Sequence, residues 1–268
     1  MSQLAETWFA FDQTHRPARL WRMRNASADG TVHIAHSLDE AREIAQDASL
    51  VTHAASDGLA LTLPAATADL RLAPKDGVLR LAAMAQTKPH AWLSAACVRI
   101  KGFLELNKDW DGVLCLPGFD TTYWVLISAN EVVSALGFVT SPLVEALSPV
   151  ALDTEIDRDA LLAPLQDVMS KPEALALRLA ESRSQWQNTA LNDAGAHSQI
   201  WGAALGAELA AARAYWLGQN IALIAPSALT APYKAALASQ YVPFTEADEA
   251  QMTLKGFASA YAAYTQST

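Results

Sequence analysis

The chain is poor in cysteine, in basic charge and in long apolar runs, and each shortage excludes something. Only Cys97 and Cys115 occur in 268 residues. Both sit in apolar surroundings ("SAACVRI" and "GVLCLPG"), so no disulfide framework is available and both read as small buried hydrophobes. The formal net charge of −9 argues against nucleic-acid partners, which select a basic face. No stretch reaches the roughly 20 apolar residues that span a bilayer. The opening "MSQLAETW" has neither the basic nor the apolar region of a secretory signal, so the expectation is a cytoplasmic protein without a membrane partner. Among six histidines the only close spacing is His33-x-x-His36, which in a strand-and-turn context reads as two polar side chains facing solvent.

What is present is a globular composition, with 51% hydrophobic and 18% charged residues. That is enough apolar surface for one large or two modest domains. The first apolar run, Trp8-Phe9-Ala10-Phe11, reads as a buried strand ending on Asp12. A polar turn follows, "QTHRP" (13–17), and Leu20, Trp21 and Met23 suggest a returning strand. "SLDEAREIAQDA" has Ser37 as an N-cap, acids in the first turn and apolar positions at helical spacing, which predicts a helix. A boundary falls at "NKDWDG" (107–112). After it "VLCLPGFDTTYWVLIS" repeats the opening design: a buried strand, a turn bearing an acid, and a returning strand.

From Ser141 to Ala190 the pattern is mainly helical, punctuated by four prolines. "IWGAALGAELAAARAYWLG" then predicts a long helix with Gly202 and Gly206 on one face. That spacing suits close helix packing, with approach of a flat ligand as the other reading. "NIALIAPSALTAPYKAALASQ" reads as strand, Pro-Ser turn and helix, and "EADEAQMTLKGFASAYAAY" as a closing helix. Strands alternating with helices after a strand-rich start predict an α/β fold. The eight tryptophans read as core, with Trp92 and Trp110 flanking the region between the halves.

These residues carry a resemblance. "GAALGAELAAARAYWLGQNIALIAPSALTAPYKAAL" is similar to a segment of the 2-dehydro-3-deoxygalactonokinase family of the form G-L-L-I-G-A-E-L-A-A-A, strand, S-x-A-L-x-x-x-Y. "DGVLCLPGFDTTYW" resembles the family hairpin D-G-L-V-C-L-P-G-T-H-S-K-W, and "LKGFASAYA" its closing helix. "GFVTSPLVEAL" resembles T-F-M-T-G-E-L, with Pro142 in place of the Glu. "FAFDQTHRPARLW" aligns without gaps on I-A-V-D-W-G-T-S-x-L-R-A-W, keeping Asp12, Arg19 and Trp21. The resemblance implies two RNase H-like (actin-like ATPase) domains with an inter-domain cleft. They are expected at 1–108 and 109–247, with a C-terminal helix at 248–266 packing back on the first.

The implied chemistry is transfer of the γ-phosphoryl group of ATP, with Mg²⁺, to a hydroxyl of 2-dehydro-3-deoxygalactonate. Such catalysis is mostly positioning and charge neutralisation. The resemblance assigns Asp12 to the metal and to catalysis. It assigns Thr14, Arg16, Gly118, Asp120, Thr121, Thr122, Gly206 and Ser227 to the nucleotide, and Arg19 and Arg183 to the sugar acid. The departures fall on the same motifs. Thr14 stands where the family has Gly, adding a Cβ where backbone approaches phosphate, and Pro17 removes an N–H donor. The family His and Lys of the second hairpin are absent. The family base lies in R-G-E-E-T-Q; here "CVRIKGFLELNKDWDG" puts Phe103 at its first Glu, leaving Glu105 as the nearby carboxylate. The family substrate segment G-M-V-G-S-x-x-G-W is replaced by "VTHAASDGLALTLPAA". Two expectations follow: a divergent sugar-acid kinase, or a pseudokinase that keeps the fold as a binding or interaction protein. A sugar acid and a nucleotide are the partners of the first, and a homodimer is left open.

Overall fold

The computed structural model describes residues 7–267, and these fall into two compact units. The first takes residues up to 111 together with 126–135 and those from 247 onward; the second takes 112–125 and 136–246.

The first unit is built from β1 (Thr7–Asp12), β2 (Arg19–Arg24), β3 (Ser27–Ile34), α1 (Leu38–Ala45), β4 (Ser49–His53), β5 (Ala60–Thr62), β6 (Ala65–Ala66), β7 (Leu72–Lys75), β8 (Val78–Leu81), β9 (Ala83–Thr87), β10 (His90–Leu93) and α2 (Ala95–Leu106). Its main sheet has the order β3-β2-β1-β4-β8-β7. β1 runs antiparallel to β2, with Asp12 opposite Arg19, and parallel to β4. A central strand is covered on both faces and can be apolar throughout, which is why Trp8 to Phe11 are all buried. On one face Phe9 and Phe11 join Leu20, Leu50 and Val78 under Ala41 and Ala45 of α1. That helix begins where the Ser37 side chain accepts the Glu40 amide, as its sequence predicts. On the other face Trp8 stacks on Tyr261, with ring centroids 4.4 Å apart.

Tyr261 belongs to the last helix of the chain, Glu249–Ser267, which packs along α2 at a crossing of two glycines. A Cβ on Gly102 would run into the Met252 carbonyl, and one on Gly256 into that of Val98. Neither position has room for a side chain, and the close crossing explains why α2 is buried from Ala96 to Leu104.

The chain continues with β11 (Gly112–Leu116), β12 (Thr122–Ser128), β13 (Glu131–Phe138), α3 (Thr140–Leu147), α4 (Arg158–Ser170), α5 (Leu175–Gln187), α6 (Asp193–Ala211), α7 (Arg213–Trp216), β14 (Ile221–Leu223), α8 (Ser227–Ser239) and β15 (Phe244–Glu246), with α9 as the closing helix; of these, α9 and residues 126–135 of β12, β13 and their turn belong to the first unit, and the rest to the second. β11, β14 and β15 pair in parallel. The segment expected as one helix through Trp216 is divided at Ala212 into α6 and α7. α6 is apolar nearly all round and buried as such. Its glycines face α4: a Cβ on Gly202 would meet the Leu161 carbonyl, and one on Gly206 would lie 2.5 Å from that of Leu165.

Candidate functional site

The β1–β2 turn is organised by its own acid. Asp12 is buried, and its Oδ1 accepts the Thr14 amide at 2.9 Å and the Thr14 hydroxyl at 2.6 Å. Thr14, in the place of the family Gly, therefore directs both donors at Asp12. Gln13, Arg16 and Pro17 are exposed. Asp12 and Thr14 line a recess with His53, Ala95, Val98 and Arg99, closed by Thr253 and Phe257 of α9. The recess is narrow, with no space for a water-sized group.

Beside it lies a charged cluster. Glu249, at the start of α9, has Oε2 3.6 Å from His15 Nε2 and 3.9 Å from the Arg19 guanidinium. Burial raises the pKa of Glu249, but the His15 imidazole beside it and the positive charges of Arg99 and Arg19 outweigh it and leave the carboxyl below its usual range. Arg19, assigned by the resemblance to the sugar acid, is thus half-buried against an internal acid.

Position 103, which the resemblance aligns with the first Glu of the family segment, is packed in the core. Phe103 is 1% exposed and sits edge-on to Trp110, with centroids 5.1 Å apart at 87°. A carboxylate there would be buried among apolar groups at a large desolvation cost. Glu105 is placed differently. It lies on the exposed side of α2, accepts a 2.5 Å hydrogen bond from Ser259, and is not among the residues of the Asp12 recess.

In the second unit the β11–β12 turn spans 117–121. Gly118 and Thr121 are half-buried and Asp120 is exposed. Thr122 belongs to β12 and not to the tip: it is fully buried, with its hydroxyl 2.6 Å from the Tyr233 hydroxyl. Tyr233 is part of a network on Glu208. One Glu208 oxygen accepts the Trp124 indole N–H at 2.8 Å, and the other accepts the hydroxyls of Tyr233, at 3.0 Å, and Thr140. Burial pushes the Glu208 pKa up, against the three hydrogen bonds that pull it down. Thr122 is committed to this network, and alternation along the strand is what turns it inward. Gly206 is packed against α4, Arg183 is exposed on α5, and Ser227 is the exposed first residue of α8.

Sequence reasoning passed over His53, at the end of β4, whose partners Ser94 and Ala54 become visible only in the fold. An Mg²⁺ ion fits the donor set in one respect: among the described residues Asp12 Oδ2 accepts no hydrogen bond, while Oδ1 is occupied. Among those residues no three His, Cys, Asp or Glu side chains cluster. Mg²⁺ bound through one carboxylate, with water and phosphate oxygens completing its shell, is compatible with this. Among the described residues no helix is long and apolar enough to cross a membrane.

A family model described as 2-keto-3-deoxy-galactonokinase matches residues 63–260. No protein among the curated sequences matches. Among solved structures, a "putative 2-dehydro-3-deoxygalactonokinase protein from Sinorhizobium meliloti" is similar over 96% of this chain and 98% of its own, with a TM-score of 0.79 and 18% identity. The activator of the 2-hydroxyisocaproyl-CoA dehydratase from Clostridium difficile, with bound ADPNP, is similar over 98% and 97%, with a TM-score of 0.57 and 8% identity. Component A of the Acidaminococcus fermentans (R)-2-hydroxyglutaryl-CoA dehydratase matches over 97% and 100% with the same TM-score and identity. At these identities the structures establish the fold, the α/β architecture of actin-like ATPases and sugar kinases.

Proposed function

The chain belongs to the 2-keto-3-deoxy-galactonokinase family, and from that premise we propose that it transfers the γ-phosphoryl group of ATP to a hydroxyl of a 2-keto-3-deoxy sugar acid, 2-keto-3-deoxygalactonate being the first acceptor to test. The observation that carries the proposal is the family match over 63–260, which takes in the β11–β12 turn, α6 and the α8 start. Asp12 lies before the matched residues, and its assignment rests on its place at the β1–β2 turn.

In this reading Asp12 Oδ2 faces Mg²⁺, and Thr14 and Arg16 border the phosphates from the first turn. Gly118, Asp120 and Thr121 do so from the second, Gly206 and Ser227 belong to the nucleotide side, and Arg19 and Arg183 attract the acid's carboxylate. The metal, when bound, supplies neutralisation of the phosphate charge. The chain's own part is to hold the reacting groups in line and to offer donors.

A second reading, a non-catalytic protein that binds ligands on the same fold, is favoured by one specific observation. The Thr14 amide and hydroxyl both serve Asp12, so neither donor is aimed at a phosphate. ADP release from ATP–Mg²⁺ with and without 2-keto-3-deoxygalactonate separates the two. Acceptor-dependent turnover that disappears in Asp12→Asn supports the kinase. Saturable ligand binding without turnover replaces it with the second reading.

A further inference from the structure

The turn between α5 and α6 shapes an open cleft on the second unit that no step of the kinase reading uses. Its walls are Trp186, Thr189, Leu191, Asn192, Asp193 and Ala194, and it offers about 570 Å³ of space, within the range of small-ligand pockets. The turn is tied by its own hydrogen bonds. The Thr189 amide donates to the Trp186 carbonyl at 3.1 Å, the Leu191 amide to the Gln185 carbonyl at 3.1 Å, and the Ala190 amide to the Asn188 side chain at 3.0 Å. The Trp186 indole N–H donates to Asp193 Oδ1 at 2.7 Å, which fixes the ring against the start of α6. Leu191 packs on Gly195, where a Cβ would come within 2.7 Å of the Leu191 Cδ1. Thr189 holds a φ of +61°, a conformation that strains a β-branched residue and that glycine would relieve. Strain of this kind gathers at ligand-binding sites.

We propose that this cleft binds a neutral saccharide, with one pyranose ring laid on the Trp186 indole and its hydroxyls held by Asp193, Asn192 and Thr189. The polar atoms that the turn leaves over are of the kinds such a ring needs. Asp193 Oδ1 is taken by the indole, while among the described residues no donor reaches Oδ2, which can only accept. Asn192 Oδ1 takes the Gly195 amide at 2.7 Å, and among those residues its Nδ2 has no acceptor. Thr189 Oγ1 donates to the Asn188 carbonyl at 2.7 Å and keeps its lone pairs. Two acceptors and an amide donor match neighbouring hydroxyls, each of which both donates and accepts. The apolar part of the lining, Trp186 with Leu191 and Ala194, suits the C–H face of the ring. The end of α6 is not the anchor, since Asn192 already caps it. Charge decides the class of ligand. No cation is among the lining residues, and Asp193 repels a carboxylate or a phosphate. The sugar acid and the nucleotide of the kinase reading are therefore unsuited to this cleft, and a purine finds only one aromatic wall. The saccharide site is a second one, independent of that reading.

The test is a ¹H–¹⁵N NMR titration of the full chain with the methyl pyranosides of glucose, galactose and mannose, carried to tens of millimolar. At least one is expected to shift the Trp186 indole N–H and the amides from Thr189 to Gly195 saturably. The indole signal is identified by its loss in Trp186→Ala, and affinity in that variant is expected to fall at least about tenfold, the scale of a lost aromatic contact. The uronate of the best pyranoside is expected to bind wild type at least about tenfold more weakly, because its charge meets Asp193. That gap should narrow in Asp193→Asn, which keeps an acceptor for the indole and removes the charge. No saturable shift from any of the three pyranosides overturns the proposal. So does equal affinity for the uronate, tighter binding of adenosine at the same signals, or unchanged affinity in Trp186→Ala. If Trp186→Ala does not fold, the wild-type and Asp193→Asn titrations decide, and none of these outcomes depends on phosphoryl transfer.

Discussion

Glu208 and Glu249 are both buried glutamates, one in each unit, and they are stabilised by opposite means. Glu208 has no cation among its hydrogen-bond partners; an indole N–H and two hydroxyls surround it, and burial raises its pKa. Glu249 sits among His15, Arg19 and Arg99, and their charge lowers its pKa despite burial. The first tolerates a proton and ties β12, α3, α6 and α8 together. The second needs its charge, because the cations around it would otherwise face one another. A neutral pin suits a packed core, and a charged cluster suits a place where several cations converge.

The comparison is broken most severely at Glu208. Glu208→Ala leaves Trp124, Tyr233 and Thr140 without their acceptor inside the core and opens a cavity beside them. The expected loss is about 4 kcal/mol of unfolding free energy in urea titration at pH 5. A loss under about 1 kcal/mol, the worth of one ordinary hydrogen bond, would mean that the network contributes no more than a single contact.

Glu249→Gln comes next. It keeps the shape and removes the charge, and the expected loss at pH 7 is about 2 kcal/mol, the scale of hydrogen bonds to an ionised group. Its folded pKa is depressed, so the wild type holds this stability above the unfolded value and loses it as pH falls through the folded one. The difference between wild type and variant should therefore shrink as the medium is acidified below about 4.3, the ordinary glutamate value. A difference constant from pH 3 to pH 7 would remove the charge from the account.

Much of this was legible in the residues, and what was not has a physical cause. Trp8 to Phe11 announce a buried strand, Ser37 a helix start, and Gly202 with Gly206 a close helix contact, because each signal is local. Glu105 was singled out as the carboxylate nearest in sequence to the position that aligns with the family base. Its face of α2 could not be read, since a helix buried nearly all round shows no amphipathic period. Thr122 looked like part of a polar tip because the start of β12 is set by pairing, not by polarity. His53 gave no signal: the serine and carbonyl beside its Nδ1 come from 41 residues downstream and from its own backbone neighbour.

The smallest effect is the sharpest test of the contrast. Glu208→Gln keeps an acceptor for Trp124 and offers an amide N–H to the hydroxyls of Tyr233 and Thr140, at an expected cost of about 1 kcal/mol for the imperfect exchange. Because the folded pKa of Glu208 is raised, the native protein holds its proton to higher pH than the unfolded chain. Wild-type stability then falls as pH rises from the unfolded value through the folded one. The glutamine variant has no such proton to lose. Thermal melts should show the wild-type advantage over Glu208→Gln shrinking as pH rises through that interval, while its advantage over Glu249→Gln grows as pH rises through the interval below the ordinary glutamate value. If both differences move in the same direction with pH, the two carboxylates are stabilised alike, and the distinction between a neutral pin and a charged cluster fails.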